Sequence, residues 1–378
     1  MEVSTLTSNG KFNFQPQSDD GPFIPVTVEM YERFLFVVKV IIIPALCILG
    51  MVGNGVGLVV LRQDSRLHSH NFHVYMCGLM LSHMAASVTN LLFGIPNIIN
   101  IYDYYMANFL LQNMRPIAIY LTKLFDNFAA CILLMMSAER LMSLLQPLTF
   151  RNTWVLKFSR IILLVGFLLI SVVLLPFPLC CSPLKFVNSE NKTEYRFAER
   201  SLFWKDFMNQ FVFIASIVQY FIFPLCILFV NCGIPIAFYR YNKLCIVTIH
   251  ADVQRSQQQS KLTILVVCIV VLYLVMSIPN MFGLTLDFFN DEYSFSGRYA
   301  HIFYFFGCIT TVLTHLNYAC DCMIYIFSIR RFRRRIQELC CKHCISLSSA
   351  TQGTSMTIKH TGISTVSGIS SDNLSTNK

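Results

Sequence analysis

Six stretches of this chain contain no Asp, Glu, Lys or Arg: residues 40–61, 67–102, 161–184, 207–239, 262–286 and 299–320. Each is long enough to cross a hydrocarbon core about 30 Å thick, which takes about 20 apolar residues in a helix. Inside lipid a backbone must satisfy its own N–H and C=O groups, which confines each stretch to helix. A seventh apolar stretch, Pro116–Leu148, differs in carrying Lys123 and Asp126, and Glu139-Arg140-Leu141 towards its far end. Charged residues are 13% of the chain and mean hydropathy is +0.56. A soluble domain carries about 25% charged residues, so the composition argues against a soluble helical protein. The expected fold is an all-α integral membrane protein, a seven-transmembrane helix bundle with a short amphipathic eighth helix.

The seventh stretch sets the geometry. At about 100° per residue, Asp126 sits about 40° around the helix axis from Arg140, and Lys123 about 100°. At about 1.5 Å per residue, Asp126 lies about 21 Å along the helix from Arg140. One helix thus holds ionisable groups at two depths, loosely on one face. That face cannot point at lipid.

The connectors after spans one, three, five and seven are the basic ones. They carry Arg62 and Arg66; Arg151, Lys157 and Arg160; Arg240, Lys243, Arg255 and Lys261; and the run Arg330 to Arg335. Basic loops stay on the cytoplasmic side, which predicts a multi-pass membrane protein with its N-terminus outside. Four regions follow: an extracellular segment 1–33, the bundle 34–328, an amphipathic helix 329–344 and a cytoplasmic tail 345–378. No basic n-region precedes a short apolar stretch near the start, so no cleavable signal is expected. Asn191-Lys192-Thr193 then lies outside, where a glycan can be attached. The net charge of +9 is read as the cytoplasmic skin meeting anionic lipid, with no role for nucleic acid.

Of fifteen cysteines, most sit within spans, where a small packing residue is the ordinary reading. None lies in 1–46 or 182–225, so no disulfide framework is expected. Cys340, Cys341 and Cys344 follow a basic amphipathic segment just past the last span. That setting suits S-palmitoylation, with unmodified thiols the alternative.

From about residue 34 to 340 the chain resembles the class A, rhodopsin-like G-protein-coupled receptors. Gly53-Asn54 resembles the family's first-span Gly-Asn, and Glu139-Arg140-Leu141 with Pro147-Leu148 its Asp/Glu-Arg-Tyr motif and following Pro-Leu. Pro224 and Pro279 resemble the prolines of spans five and six. Asp321-Cys322-Met323-Ile324-Tyr325 resembles Asn-Pro-x-x-Tyr, and Phe332-Arg333 the start of the membrane-lying helix. Pro224-Leu225 and Asn231 resemble invertebrate neuropeptide receptors of the FMRFamide type. The departures are specific. His83 stands at the second-span aspartate of the family's sodium site, Ala129 at its serine partner, and Asp321 where Asn is commoner. His83 and Asp321 either pair across the bundle or are satisfied separately. Met276-Ser277-Ile278-Pro279 replaces Cys-Trp-x-Pro, Arg115 occupies the disulfide position of span three, and Gln259 offers Arg140 no acidic latch.

The resemblance implies a receptor, not an enzyme, with no cofactor and no metal. No Gly-x-Gly-Asp or Gly-x-Ser-x-Gly motif suggests an intramembrane hydrolase, and no repeat suggests a transporter. Thr122 stands at the family's amine-binding aspartate, with Lys123, Asp126 and Asn127 beside it, and these four are the expected ligand site. Lys123 and Asp126 can instead form an i,i+3 pair that neutralises itself. The ligand expected is a small neuropeptide, the alternatives being an odorant or other small molecule. Glu139, Arg140 and Leu148 are expected to couple a heterotrimeric G protein. Asn54, His83, Pro224, Pro279, Asn317, Asp321 and Tyr325 are expected to form the polar switch within the bundle. The Ser/Thr-rich tail would recruit a receptor kinase and arrestin.

Overall fold

Proline lacks an N–H, and its ring crowds the carbonyl four residues earlier. In the computed structural model of the chain, Val37–Ile42 and Val218–Ile222 are each wound as a π turn, and Pro44 and Pro224 follow one residue beyond. The closing bonds run five residues back, from Ile43 N–H to Val38 O and from Phe223 N–H to Val218 O. The wider turn relieves the crowding that a proline imposes on an ordinary helix. Other prolines, Pro96, Pro116, Pro235 and Pro279, stand inside helices without a π turn.

The structure describes residues 33–63, 71–145, 154–187, 193–199, 202–247, 253–290, 292–293 and 299–328. The chain divides at Phe332/Arg333, and all described residues belong to the first unit. Among the described residues, seven helices are long and apolar enough to cross a membrane. They are Arg33–Gln63, Phe72–Ile99, Tyr104–Leu145, Ser159–Cys180, Asp206–Arg240, Leu262–Phe289 and Ile302–Asp321, called spans one to seven. The protein is a multi-pass membrane protein with an all-α seven-helix bundle. The expected eighth helix at 329–344 lies outside the described residues.

Span three begins earlier than its proline suggests. The sequence places the helix start at Pro116, yet the helix runs from Tyr104 to Leu145. Asp103 caps it: its Oδ1 accepts the Met106 N–H at 3.0 Å, the N-cap bond that satisfies an orphan donor of the first turn. Pro116 is buried within the helix.

This long helix is the axis of the fold. It packs most extensively against spans two and five, and its buried face includes Ala129, Ala130, Ile132, Leu133, Met136, Ser137 and Arg140. Span four turns large apolar side chains outward, Leu164, Leu169, Val172 and Val173 among them, as lipid contact demands. Between spans in lipid, close packing and hydrogen bonds replace hydrophobic driving force. Gly50 shows the closeness: a Cβ there would lie 2.7 Å from Ser87 Oγ.

Between spans four and five the structure adds what the all-helical reading omitted, an antiparallel hairpin. Strands β1 (Cys181–Val187) and β2 (Thr193–Glu199) pair with Lys185 opposite Tyr195. The hairpin rests on the early turns of span three. Asn191 lies outside the described residues. Beyond span six, Tyr293 packs edge-on against Phe303, ring centroids 5.3 Å apart, and burial pushes its phenol above the ordinary value.

Candidate functional site

The π turn of span five decides what Lys123 touches. In an ordinary helix neighbouring residues point about 100° apart. The wider turn brings Gln219 and Tyr220 to the same target. Lys123 Nζ donates to Gln219 Oε1 at 2.7 Å and to Tyr220 OH at 3.1 Å, and lies 4.7 Å from the Tyr220 ring centroid. Two acceptors and an aromatic face compensate an ammonium held among helices.

Asp126 takes a different partner. Its Oδ1 accepts the hydroxyl hydrogen of Tyr318 in span seven. Lys123 and Asp126 thus take their hydrogen-bond partners from different spans, Lys123 from span five and Asp126 from span seven. Asn127, buried, donates back to Lys123 O at 2.7 Å on its own helix. Thr122 is half-buried, and neither it nor Asn127 is among the walls of the cavity that Asp126 enters.

That cavity, about 60 Å³, lies between spans two, three, five, six and seven. Asp126 and Ala129 line it from span three, His83 from span two, Gln219 and Tyr220 from span five. Spans six and seven contribute Ser277 and Asn280, and Thr314, Asn317 and Tyr318.

His83 and Asp321 meet. The imidazole Nδ1–H donates to Asp321 Oδ2 at 2.6 Å, with both side chains almost fully enclosed, 3% and 2% exposed. The partner fixes the tautomer. Asn54, fully buried, donates through Nδ2 to Tyr318 O at 2.8 Å. Tyr318 also has its ring 5.1 Å from that of His83 and 5.6 Å from that of His315. It thus ties span one, the His83–Asp321 pair and Asp126 into one polar group. Pro279 in span six removes a helix bond one turn from Val275. Tyr325 lies on the span-seven helix, and its side chain is outside the described ones, as is that of Gln259.

At the far end of span three, Glu139 and Arg140 are both buried, 7% and 4% exposed. The Arg140 guanidinium sits over the Phe72 ring, 5.2 Å from its centroid. Asn231 in span five donates to Ser137 Oγ at 2.9 Å, one turn before Arg140. Glu139 lies beside the buried hydroxyl of Tyr75 in span two. Leu148, Cys340, Cys341 and Cys344 lie outside the described residues.

Sequence reasoning missed Tyr318, Gln219, Tyr220 and Phe72. Tyr318 and Gln219 are polar residues within apolar spans, which is a signal in itself. Phe72 offers none, since one phenylalanine among thirty-three looks like lipid contact. No family model matches the chain, and no curated protein matches it.

Proposed function

We propose that the chain is a G-protein-coupled receptor of the class A type, which binds an extracellular ligand at the Asp126 cavity and activates a heterotrimeric G protein at the Arg140 end. The observation that carries this reading is one helix, span three, holding a polar cavity midway and a buried, aromatic-covered arginine towards its end. An ionisable residue within a membrane is costly and is kept where function needs it.

The mechanism is a population shift. A ligand bound better by an open state moves the equilibrium towards it by its differential affinity. An arginine cannot lose its proton, so Arg140 needs a partner in each state. Closed, it rests on Phe72 beside Glu139. Open, its forked donors turn to carbonyl oxygens of the G protein, with Leu148 inserting beside it. Pro224 and Pro279 give spans five and six places to bend. In this reading the N-terminus is outside at the plasma membrane, and Asn191 carries a glycan. Cys340, Cys341 and Cys344 are acylated, and the tail serves receptor kinase and arrestin.

The cavity volume favours a small ligand, or a peptide of which only one end group enters. Nucleotide exchange on purified Gα subunits, with the receptor in nanodiscs and a screen of amidated peptides and small amines, tests the reading. Ligand-dependent exchange that Ala129→Phe abolishes supports it. Solute uptake into sealed proteoliposomes without exchange overturns it in favour of a transporter.

A further inference from the structure

One nitrogen in the polar group around Tyr318 is buried with nothing to bond. His315, on span seven, is 5% exposed. Its Nδ1–H donates to Thr311 O at 2.7 Å, one turn back on the same helix. A carbonyl can only accept, so this bond fixes the hydrogen on Nδ1 and leaves a lone pair on Nε2. Nε2 is enclosed and has no hydrogen-bond partner among the described residues. The other imidazole beside the Tyr318 ring differs, because His83 is held by Asp321.

Buried polar atoms are almost always paired, with protein or with water. No water-sized space adjoins Nε2, so water reaches it only if the helices around it move. A proton placed there would need an acceptor. Asp126 acts on His315 across space but takes its hydrogen bond from Tyr318, and Asp321 takes one from His83. A buried cation without an acceptor is costly. The geometry therefore suits the neutral ring and not the imidazolium.

We propose that His315 is a proton-operated latch on span seven: sealed in this structure, its Nε2 takes a proton in any arrangement that lets water reach it, so that acid favours the opened bundle. A proton bound by only one of two states moves the equilibrium towards that state. An imidazole in water titrates at about pH 6.5. The opened and unfolded states bind the extra proton and the sealed state does not, so stability is present above about pH 6.5 and is lost as the pH falls below it. Between about pH 7.5 and about pH 5.5 the opened population should rise about tenfold. The inference goes beyond the receptor reading and does not depend on it.

Other titratable and charged groups face His315 and its neighbours Tyr318 and Asp126. They are Lys123 on span three, His83 on span two with Asp321, Cys47 on span one, Tyr220 on span five and Tyr273 on span six. All of them remain when His315 alone is replaced, so a comparison with the wild type isolates the latch.

The experiment compares the wild type in nanodiscs, at constant ionic strength, with two variants. His315→Phe keeps a ring against Tyr318 and removes both nitrogens. His315→Gln keeps a polar side chain that takes up no proton, and it serves if the first variant does not fold. From about pH 7.5 to about pH 5.5 the wild-type midpoint of thermal unfolding should fall by about 2–5 °C more than that of either variant. Over the same range the span-seven amides near Thr311 and His315 should exchange hydrogen about tenfold faster, beyond the intrinsic effect of pH, in the wild type only. An equal response to pH in all three proteins would overturn the inference. A wild-type midpoint that rises in acid relative to both variants would overturn it too, because the sealed state would then hold the proton, with Asp126 as its counter-charge.

Discussion

Asn108, near the start of span three, accepts the backbone N–H of Tyr195 in β2 through its Oδ1 at 2.8 Å, and the neighbouring Phe109 meets the Tyr195 ring edge-on at 5.0 Å. One turn-length of helix therefore holds the hairpin by a hydrogen bond and an aromatic contact, on a helix that carries Arg115 where the resembling family has a disulfide cysteine. A hydrogen bond of this kind is worth about 0.5–1.5 kcal/mol and an aromatic pair about as much again. Asn108→Leu should raise the hydrogen-exchange rate of the β2 amides by about two- to tenfold, and Tyr195→Ala by more, both read by mass spectrometry. Unchanged protection in both variants would mean that the hairpin is held elsewhere.

Lys123 and Asp126 point to different spans, so exchanging their charges cannot restore either set of contacts. Each single variant, Lys123→Met or Asp126→Asn, removes or weakens a contact to another span and should lower the thermal midpoint and surface expression. The double variant Lys123→Asp/Asp126→Lys should be no better than the worse single. Recovery of expression in the swapped protein would show that the pair does interact directly.

The His83–Asp321 contact is enclosed on all sides, and breaking such a pair from one side costs about 3–5 kcal/mol. Asp321→Asn and His83→Leu should each lower stability strongly. Removing both partners, as His83→Leu/Asp321→Leu, should cost less than the sum of the two singles, since neither polar group is left without its partner. Additive losses, measured by thermal unfolding in nanodiscs, would refute a direct pair.

Phe72 covers Arg140 with its ring face, an interaction worth about 0.5–2 kcal/mol. If that cover holds the closed state, Phe72→Leu should raise ligand-independent nucleotide exchange by about two- to thirtyfold, and Glu139→Gln should raise it as well. Phe72→Tyr should stay near wild type. Arg140→Lys should keep surface expression and ligand binding while losing most G-protein activation, because lysine lacks the planar fork. Full signalling by Arg140→Lys at normal surface levels would tell against this use of the residue.

Much of the bundle was legible because lipid leaves a chain so few choices. Runs without charge marked six of the seven spans, and the charges within span three marked its inward face. His83 and Asp321 could be suspected of pairing, since each replaces a residue that a resembling family uses at one place. The true start of span three at Tyr104 is hidden because Asp103, the residue that caps the helix, directly follows the charge-free run 67–102 and reads as a loop charge. The hairpin left a trace that length-based reading of a loop passes over: Thr193, Tyr195 and Phe197 alternate with Glu194 and Arg196, the period of a strand. The bonds of Tyr318 left none. Which oxygen a tyrosine reaches depends on how three helices rotate against each other, and sequence spacing along one helix does not contain that rotation.

The π turn at Val218–Ile222 amounts to one residue more than an ordinary helix of the same rise would use. It shifts the sequence period of span five by one residue between its two halves, with Gln219 and Tyr220 directed to Lys123 on the turn and Asn231 directed to Ser137 below it. A deletion of Phe221 would rewind the segment as plain helix over nearly the same rise and rotation, and would remove the wide turn that carries Gln219 and Tyr220. The reading frame of the gene would survive such a loss, and so would the hydrophobic length of the span. The Lys123 contacts made from the turn would not, and the residue count of this helix is therefore fixed more tightly than the thickness of a bilayer requires.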